Sequence, residues 1–85
     1  MEVGAIVKSK CGRDAGRVYC VLSVTSADFV ELVNGRSRKL NNPKRKRIKH
    51  LEVLSESDLK HKIEQRQKIY DSDIITILNE FKNEF

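Results

Sequence analysis

The sequence predicts a mainly β fold, five short strands closed into a small barrel, followed by a C-terminal tail of two helices. Three observations carry this. Between Gly4 and Leu54, short apolar runs rich in β-branched residues are separated by tight polar turns. One of those turns, Gly12-Arg13-Asp14-Ala15-Gly16-Arg17, supplies two glycines and an Asp between two apolar runs, the composition of a hairpin connection. After Ser55 the apolar spacing changes from two to three and four, the period of a helix. Five strands would leave too many exposed edges in one flat sheet of this size, and closure removes them. With 85 residues, the chain fits one small domain, its barrel over residues 1–54 and its helical extension over 55–85.

In chain order, Val3, Ala5 and Val7 alternate with Gly4, Ile6 and Lys8 as a first strand. Val18 to Val24 suits a central strand buried on both faces. Phe29 to Val33 is a third strand, closed by Asn34-Gly35, a strong short hairpin signal, with a basic fourth strand expected at Arg36 to Leu40. Asn41-Asn42-Pro43 is a loop, because Pro43 supplies no N–H and biases Asn42 toward extended geometry. A fifth strand follows at Ile48 to Val53.

Ser55 and Asp58 resemble a capping box, and Leu59, Ile63 and Tyr70 share one face of a helix expected over residues 56–69. Asp71-Ser72-Asp73 then opens a second helix, whose Ile74, Leu78, Phe81 and Phe85 form an apolar stripe widened by Ile75 and Ile77. That stripe packs on the first helix or the barrel, or else receives a partner helix.

Composition narrows the function. No apolar stretch approaches the roughly 20 residues of a membrane-spanning helix, no secretory leader pattern is visible, and a cytoplasmic location is expected. Two cysteines without neighbouring histidines cannot build a four-ligand zinc site, so no metal or other cofactor is expected. Cys20 reads as a small buried hydrophobe and Cys11 as a partly exposed thiol. Neither His50 nor His61 has a catalytic partner at a recognised spacing, and the Gly12-x-x-x-Gly16 pattern lacks both the Lys-Ser/Thr ending of a phosphate loop and a following helix. A binding module, not an enzyme, is expected.

The net charge of +5 is unevenly spread: residues 1–50 hold twelve Lys and Arg against four acids, residues 51–85 five against eight. Arg36, Arg38, Lys39, Lys44, Arg45, Lys46, Arg47 and Lys49 follow one another without an intervening acid, with Asn41, Asn42 and His50 in the same stretch. Charges so crowded repel, and a polyphosphate partner removes that cost while releasing counterions. No helix-turn-helix signature accompanies the run, so loops and strands, not a recognition helix, would meet the nucleic acid, which suits folded RNA. Tyr19 and Phe29 read as core residues, which leaves few aromatics for base stacking. The competing reading is a protein-interaction adaptor using the stripe of the second helix; a polybasic membrane-surface segment fits poorly, because the charges do not lie on an amphipathic helix.

Gly4-Ala5-Ile6-Val7-Lys8-Ser9, Gly12 to Arg17 and Val18 to Val24 together resemble the KOW motif, with Gly16 as its hallmark glycine. The continuation Val33 to Lys39 with Pro43 to Leu51 is similar to small stand-alone bacterial KOW RNA-binding proteins, which are related to KOW-containing proteins of the large ribosomal subunit. The resemblance covers roughly residues 3–54 and implies an SH3-like barrel that binds ribosomal or other structured RNA without a cofactor. It assigns RNA contact to Lys10, Arg13 and Arg17 and a structural part to Ala15 and Gly16. Apart from the resemblance, the stripe of Ile74, Leu78, Phe81 and Phe85 is where a ribosomal protein partner would dock. Gly12 and Asp14 complete the structural turn. The two-helix tail departs from the family pattern.

Overall fold

Alternation along the first half of the chain is strict enough to give its sheet an apolar core on each face. Ala5, Val7, Tyr19, Val21, Val30, Leu32 and Leu51 are buried on one side, with Ile48 packed against them. Ile6, Cys20 and Val33 are buried on the other. The computed structural model describes residues 1–65 and 67–81. Within them run β1 (Ile6–Ser9), β2 (Val18–Val24), β3 (Phe29–Val33), β4 (Lys44–Arg47), β5 (Leu51–Ser55), α1 (Leu59–Glu64) and α2 (Asp71–Asn79), with a 3-10 turn at Ile48–His50 between β4 and β5. The five strands form one antiparallel sheet in the spatial order β4-β3-β2-β1-β5.

The expected central strand is central, and a bulge serves its two faces. Cys20 lies opposite Val33 and Val21 opposite Leu32, but Ser23 then lies opposite Glu31, so Leu22 is the extra residue and turns toward the second core. The first hairpin closes as its composition predicts. The Ser9 N–H donates to the Arg17 carbonyl and the Gly16 N–H to the Ser9 carbonyl, both at 2.9 Å. Gly16 has φ of +89°, a conformation that a residue with a Cβ adopts only at a cost.

Among the described residues no α-helix packs on the first core. On that side the first turn lies against β4, where Asp14 meets Lys44 and Lys46. The second core is covered by both helices. Leu59 of α1 and Ile74 and Leu78 of α2 are buried against Ile6, Cys20 and Val33, flanked by Ile63, Ile69, Ile77 and the half-buried Phe81. Each fully buried Leu or Ile contributes about 1.5–3 kcal/mol relative to exposure. The apolar stripe of α2 is thus turned onto the sheet; Phe85, its last expected member, lies outside the described residues. Among the described residues no helix is long and apolar enough to cross a membrane.

Three expectations need correction. The fourth strand is Lys44–Arg47, not Arg36 to Leu40. The Asn34 side-chain oxygen accepts the N–H groups of Arg36 and Arg38, each at 2.9 Å, and the Arg38 carbonyl takes those of Asn34 and Gly35. This local turn consumes the groups a ladder would need, and the chain reaches its pairing segment only after Pro43. The fifth strand starts later than Ile48, because residues 48–50 turn the corner.

The first helix is six residues long, not fourteen. Ser55 ends β5 and Asp58 makes no side-chain cap, so the expected capping box is absent there. After Ile63, no apolar residue precedes Ile69, and a helix without an apolar face has nothing to pack. Tyr70, expected on that helix, is extended and 54% exposed at the start of α2. There its N–H donates to the Asp73 carboxylate at 2.9 Å, and Asp71 and Asp73 place negative charge in the first turn of α2.

Two contacts fasten the long β3–β4 loop to α2. The Leu40 N–H donates to the Asp71 carboxylate at 2.8 Å. Gly35, at φ +77°, lies so close to the helix that a Cβ would stand 2.6 Å from the Asp71 carbonyl oxygen and 2.7 Å from Ile75 Cγ1.

Candidate nucleic-acid interface

Strand β4 is four consecutive cations, and the pleat sends them to opposite sides. Lys44 and Lys46 lie opposite Leu32 and Val30, residues of the first core, and so point inward. Arg45 and Arg47 lie opposite Glu31 and Phe29 and point outward.

The inward pair meets Asp14. Lys44 Nζ is 2.9 Å from Asp14 Oδ2 and Lys46 Nζ is 2.6 Å from Asp14 Oδ1. Ser9 Oγ donates to Oδ1 at 2.8 Å and Tyr19 Oη to Oδ2 at 3.2 Å, while Lys46 Nζ also reaches the Cys11 carbonyl at 3.1 Å. Asp14 is only 4% exposed. Burial alone would raise its pKa, but the ammonium groups of Lys46 and Lys44 and the Ser9 hydroxyl outweigh it and hold the carboxyl well below the usual carboxylate range. Burial, followed by the adjacent Asp14 charge, pushes the Tyr19 hydroxyl up. The Asp14 carboxylate takes its bonds from four side chains, two of them contributed by β4.

The outward pair meets an aromatic ring. The guanidinium carbons of Arg45 and Arg47 stand 4.1 Å and 4.9 Å from the centroid of Phe29. Each such contact contributes about 0.5–1 kcal/mol at exposed sites and restricts the guanidinium. Both arginines are exposed and, among the described residues, neither forms a salt bridge. Sequence reasoning placed Phe29 in the core and missed this contact. Its signal was the alternation within β3: Phe29 shares a face with the polar Glu31, while Val30 and Leu32 share the buried one.

The other expected contact residues fall into two groups beside β4. Arg36 and Lys39 are exposed on the β3–β4 loop, with Arg38 half-buried. Arg17 and Arg36 come together in the wall of a cavity of about 310 Å³ between this loop and α2, floored by Val18, Ile75 and Leu78. At the other end of β4, Lys49 is exposed and Arg47 and Lys49 line a cavity of about 230 Å³ with Ala27, Asp28 and Ile48. His50 is half-buried, and its carbonyl accepts the N–H of the exposed Lys10 at 2.8 Å. Arg13 is exposed at the tip of the first turn, between Gly12 and the buried Asp14.

The cysteines separate as expected: Cys11 is exposed, and Cys20 is buried with its thiol pushed up to about 12 by that burial. Compared with known proteins, the chain matches no family model and no curated protein.

Proposed function

We propose that the protein is a cytoplasmic RNA-binding module, associated with the ribosome and contacting structured RNA, ribosomal RNA foremost. In this reading the five-stranded sheet closes into an SH3-like barrel of the KOW type, and its outward β4 face and flanking loops are the interface. The observation that carries the reading is the pair Arg45 and Arg47, exposed, without acidic partners among the described residues, and lying over the ring of Phe29. Guanidinium groups so placed suit phosphate oxygens and bases, whereas a merely solvated charged face needs no such scaffold. Arg36, Lys39 and Lys49 extend the same charge along both ends of the strand.

RNA is favoured over DNA because the helices supply no recognition element. The segment Asp71–Asn79 contains no Lys or Arg and buries Ile74 and Leu78 on the sheet, and α1 is a turn and a half long. The same burial commits Ile74 and Leu78 of the stripe to the sheet, which weighs against the adaptor reading. Nothing in the outward face combines an acid, a base and a nucleophile, so binding is the proposed activity.

The test is titration of a structured ribosomal RNA fragment at two salt concentrations. Binding at low salt that weakens steeply as salt rises is expected. Absence of binding at low salt, or an affinity indifferent to salt, refutes the proposal.

A further inference from the structure

The cavity at the end of β4 contains one residue that a phosphate-binding surface does not explain. Its wall is formed by Ala27, Asp28, Arg47, Ile48 and Lys49, about 230 Å³ in all. Arg47 and Lys49 attract phosphate; the Asp28 carboxylate in the same wall repels it. Asp28 is exposed, and its carboxylate makes no hydrogen bond or ion pair among the described residues.

The main chain around Asp28 is clamped from both sides. Its carbonyl accepts the Ile48 N–H at 2.8 Å, and the Ser26 hydroxyl accepts the N–H groups of Asp28 and Phe29 at 3.3 Å and 3.2 Å. The carboxylate is therefore carried on a fixed backbone in a cavity it shares with Arg47, whose guanidinium carbon lies over the Phe29 ring at 4.9 Å from its centroid.

We propose that this cavity binds one unpaired guanine base of the RNA, an inference that rests on the RNA-binding reading. A carboxylate is an acceptor with two oxygens and no donor, so what lies against it must present donors. On its Watson–Crick edge guanine presents two adjacent donors, N1–H and the N2 amino group. Adenine and cytosine each set a ring-nitrogen acceptor beside their amino group, and uracil flanks its single N–H with two carbonyl oxygens. Arg47 supplies a plane for the base to stack on, Ile48 an apolar wall, and Lys49 a cation for the adjoining phosphate. A base held by its Watson–Crick edge cannot be paired, so the site selects loops, bulges and ends over duplex.

The test uses the full chain and three RNA hairpins that share a stem and differ at one loop position, guanosine, inosine or adenosine, with affinity read by fluorescence anisotropy. The wild-type protein is expected to favour guanosine over adenosine by about tenfold, with inosine, which keeps N1–H and lacks the amino group, between them. Asp28→Asn, checked for an unchanged melting temperature, brings the three loops to one affinity. Arg47→Lys, which keeps the charge and loses the plane, narrows the ratio as well. Equal wild-type affinities for the three loops, or the guanosine preference surviving in Asp28→Asn, overturns the guanine site while leaving the RNA reading intact. Absence of binding to all three hairpins at low salt overturns both.

Discussion

The two sides of β4 carry the same charge and do opposite work. Lys44 and Lys46 are turned toward the first core and share one buried carboxylate; Arg45 and Arg47 are turned to solvent and rest on an aromatic ring. The inner pair ties the first turn to a strand that lies three places from β1 in the sheet. Among the described residues the outer pair forms no salt bridge and rests on Phe29. A run of like charge is therefore not one functional unit, and the pleat decides which of its members are structural and which are free to meet a ligand.

The comparison is broken most severely from Asp14. Asp14→Asn leaves two ammonium groups facing an uncharged amide in a buried site, and a loss of about 3 kcal/mol in unfolding free energy is expected by denaturant titration. Lys46→Met keeps the Lys44 pair and is expected to cost less, about 1–2 kcal/mol, with the salt dependence of RNA binding unchanged. A salt slope that falls in Lys46→Met would place that lysine on the RNA instead.

Acid sharpens the same contrast. Because the folded protein depresses the Asp14 pKa, its contribution is complete above the ordinary carboxyl range, near pH 4, and drains away as pH falls toward the folded value. The stability gap between the wild type and Asp14→Asn should therefore be constant from about pH 5 upward and narrow below about pH 4, measured as midpoints at matched ionic strength. A gap that persists undiminished at pH 2.5 would show that Asp14 acts through packing and not through its charge.

The smallest effect on stability belongs to the outer pair. Arg45→Ala with Arg47→Ala should lower unfolding free energy by about 1–2 kcal/mol at most, the value of two exposed cation–π contacts. On the proposed function it should also flatten the salt slope of RNA binding by roughly 1.4, the share of two single-strand phosphates. An intact slope would remove both arginines from the interface.

Much of the fold was legible because apolar alternation is a strong signal. The strand Val18–Val24, the strand Phe29–Val33, the hairpin at Gly12 to Arg17 and the burial of Cys20, Ile74 and Leu78 all follow from it. The β4 segment could not be read in the same way. Lys44-Arg45-Lys46-Arg47 has no hydrophobic period, so neither its pairing nor the phase of its pleat is written locally. Its register comes from β3, and its inward face from a carboxylate thirty residues earlier in the chain. Arg36 to Leu40 looked like the better strand until the Asn34 side chain is seen to occupy its N–H groups. The Phe29 contact was legible in principle, since its partner on the same face of the strand is Glu31, but an aromatic beside a buried run is more often core.

The two-sided core also sets an order of events during synthesis. The sheet is complete in sequence at Ser55, yet the face formed by Ile6, Cys20 and Val33 gains its cover piecemeal from Leu59 onward and lacks its last buried residue until Leu78 has been added. At roughly 5–20 residues per second, that interval lasts from about one to about five seconds for each new chain. For that time the nascent protein exposes part of an apolar sheet face, so slowing elongation across the codons for α1 and α2 should increase the fraction captured by chaperones or lost to aggregation.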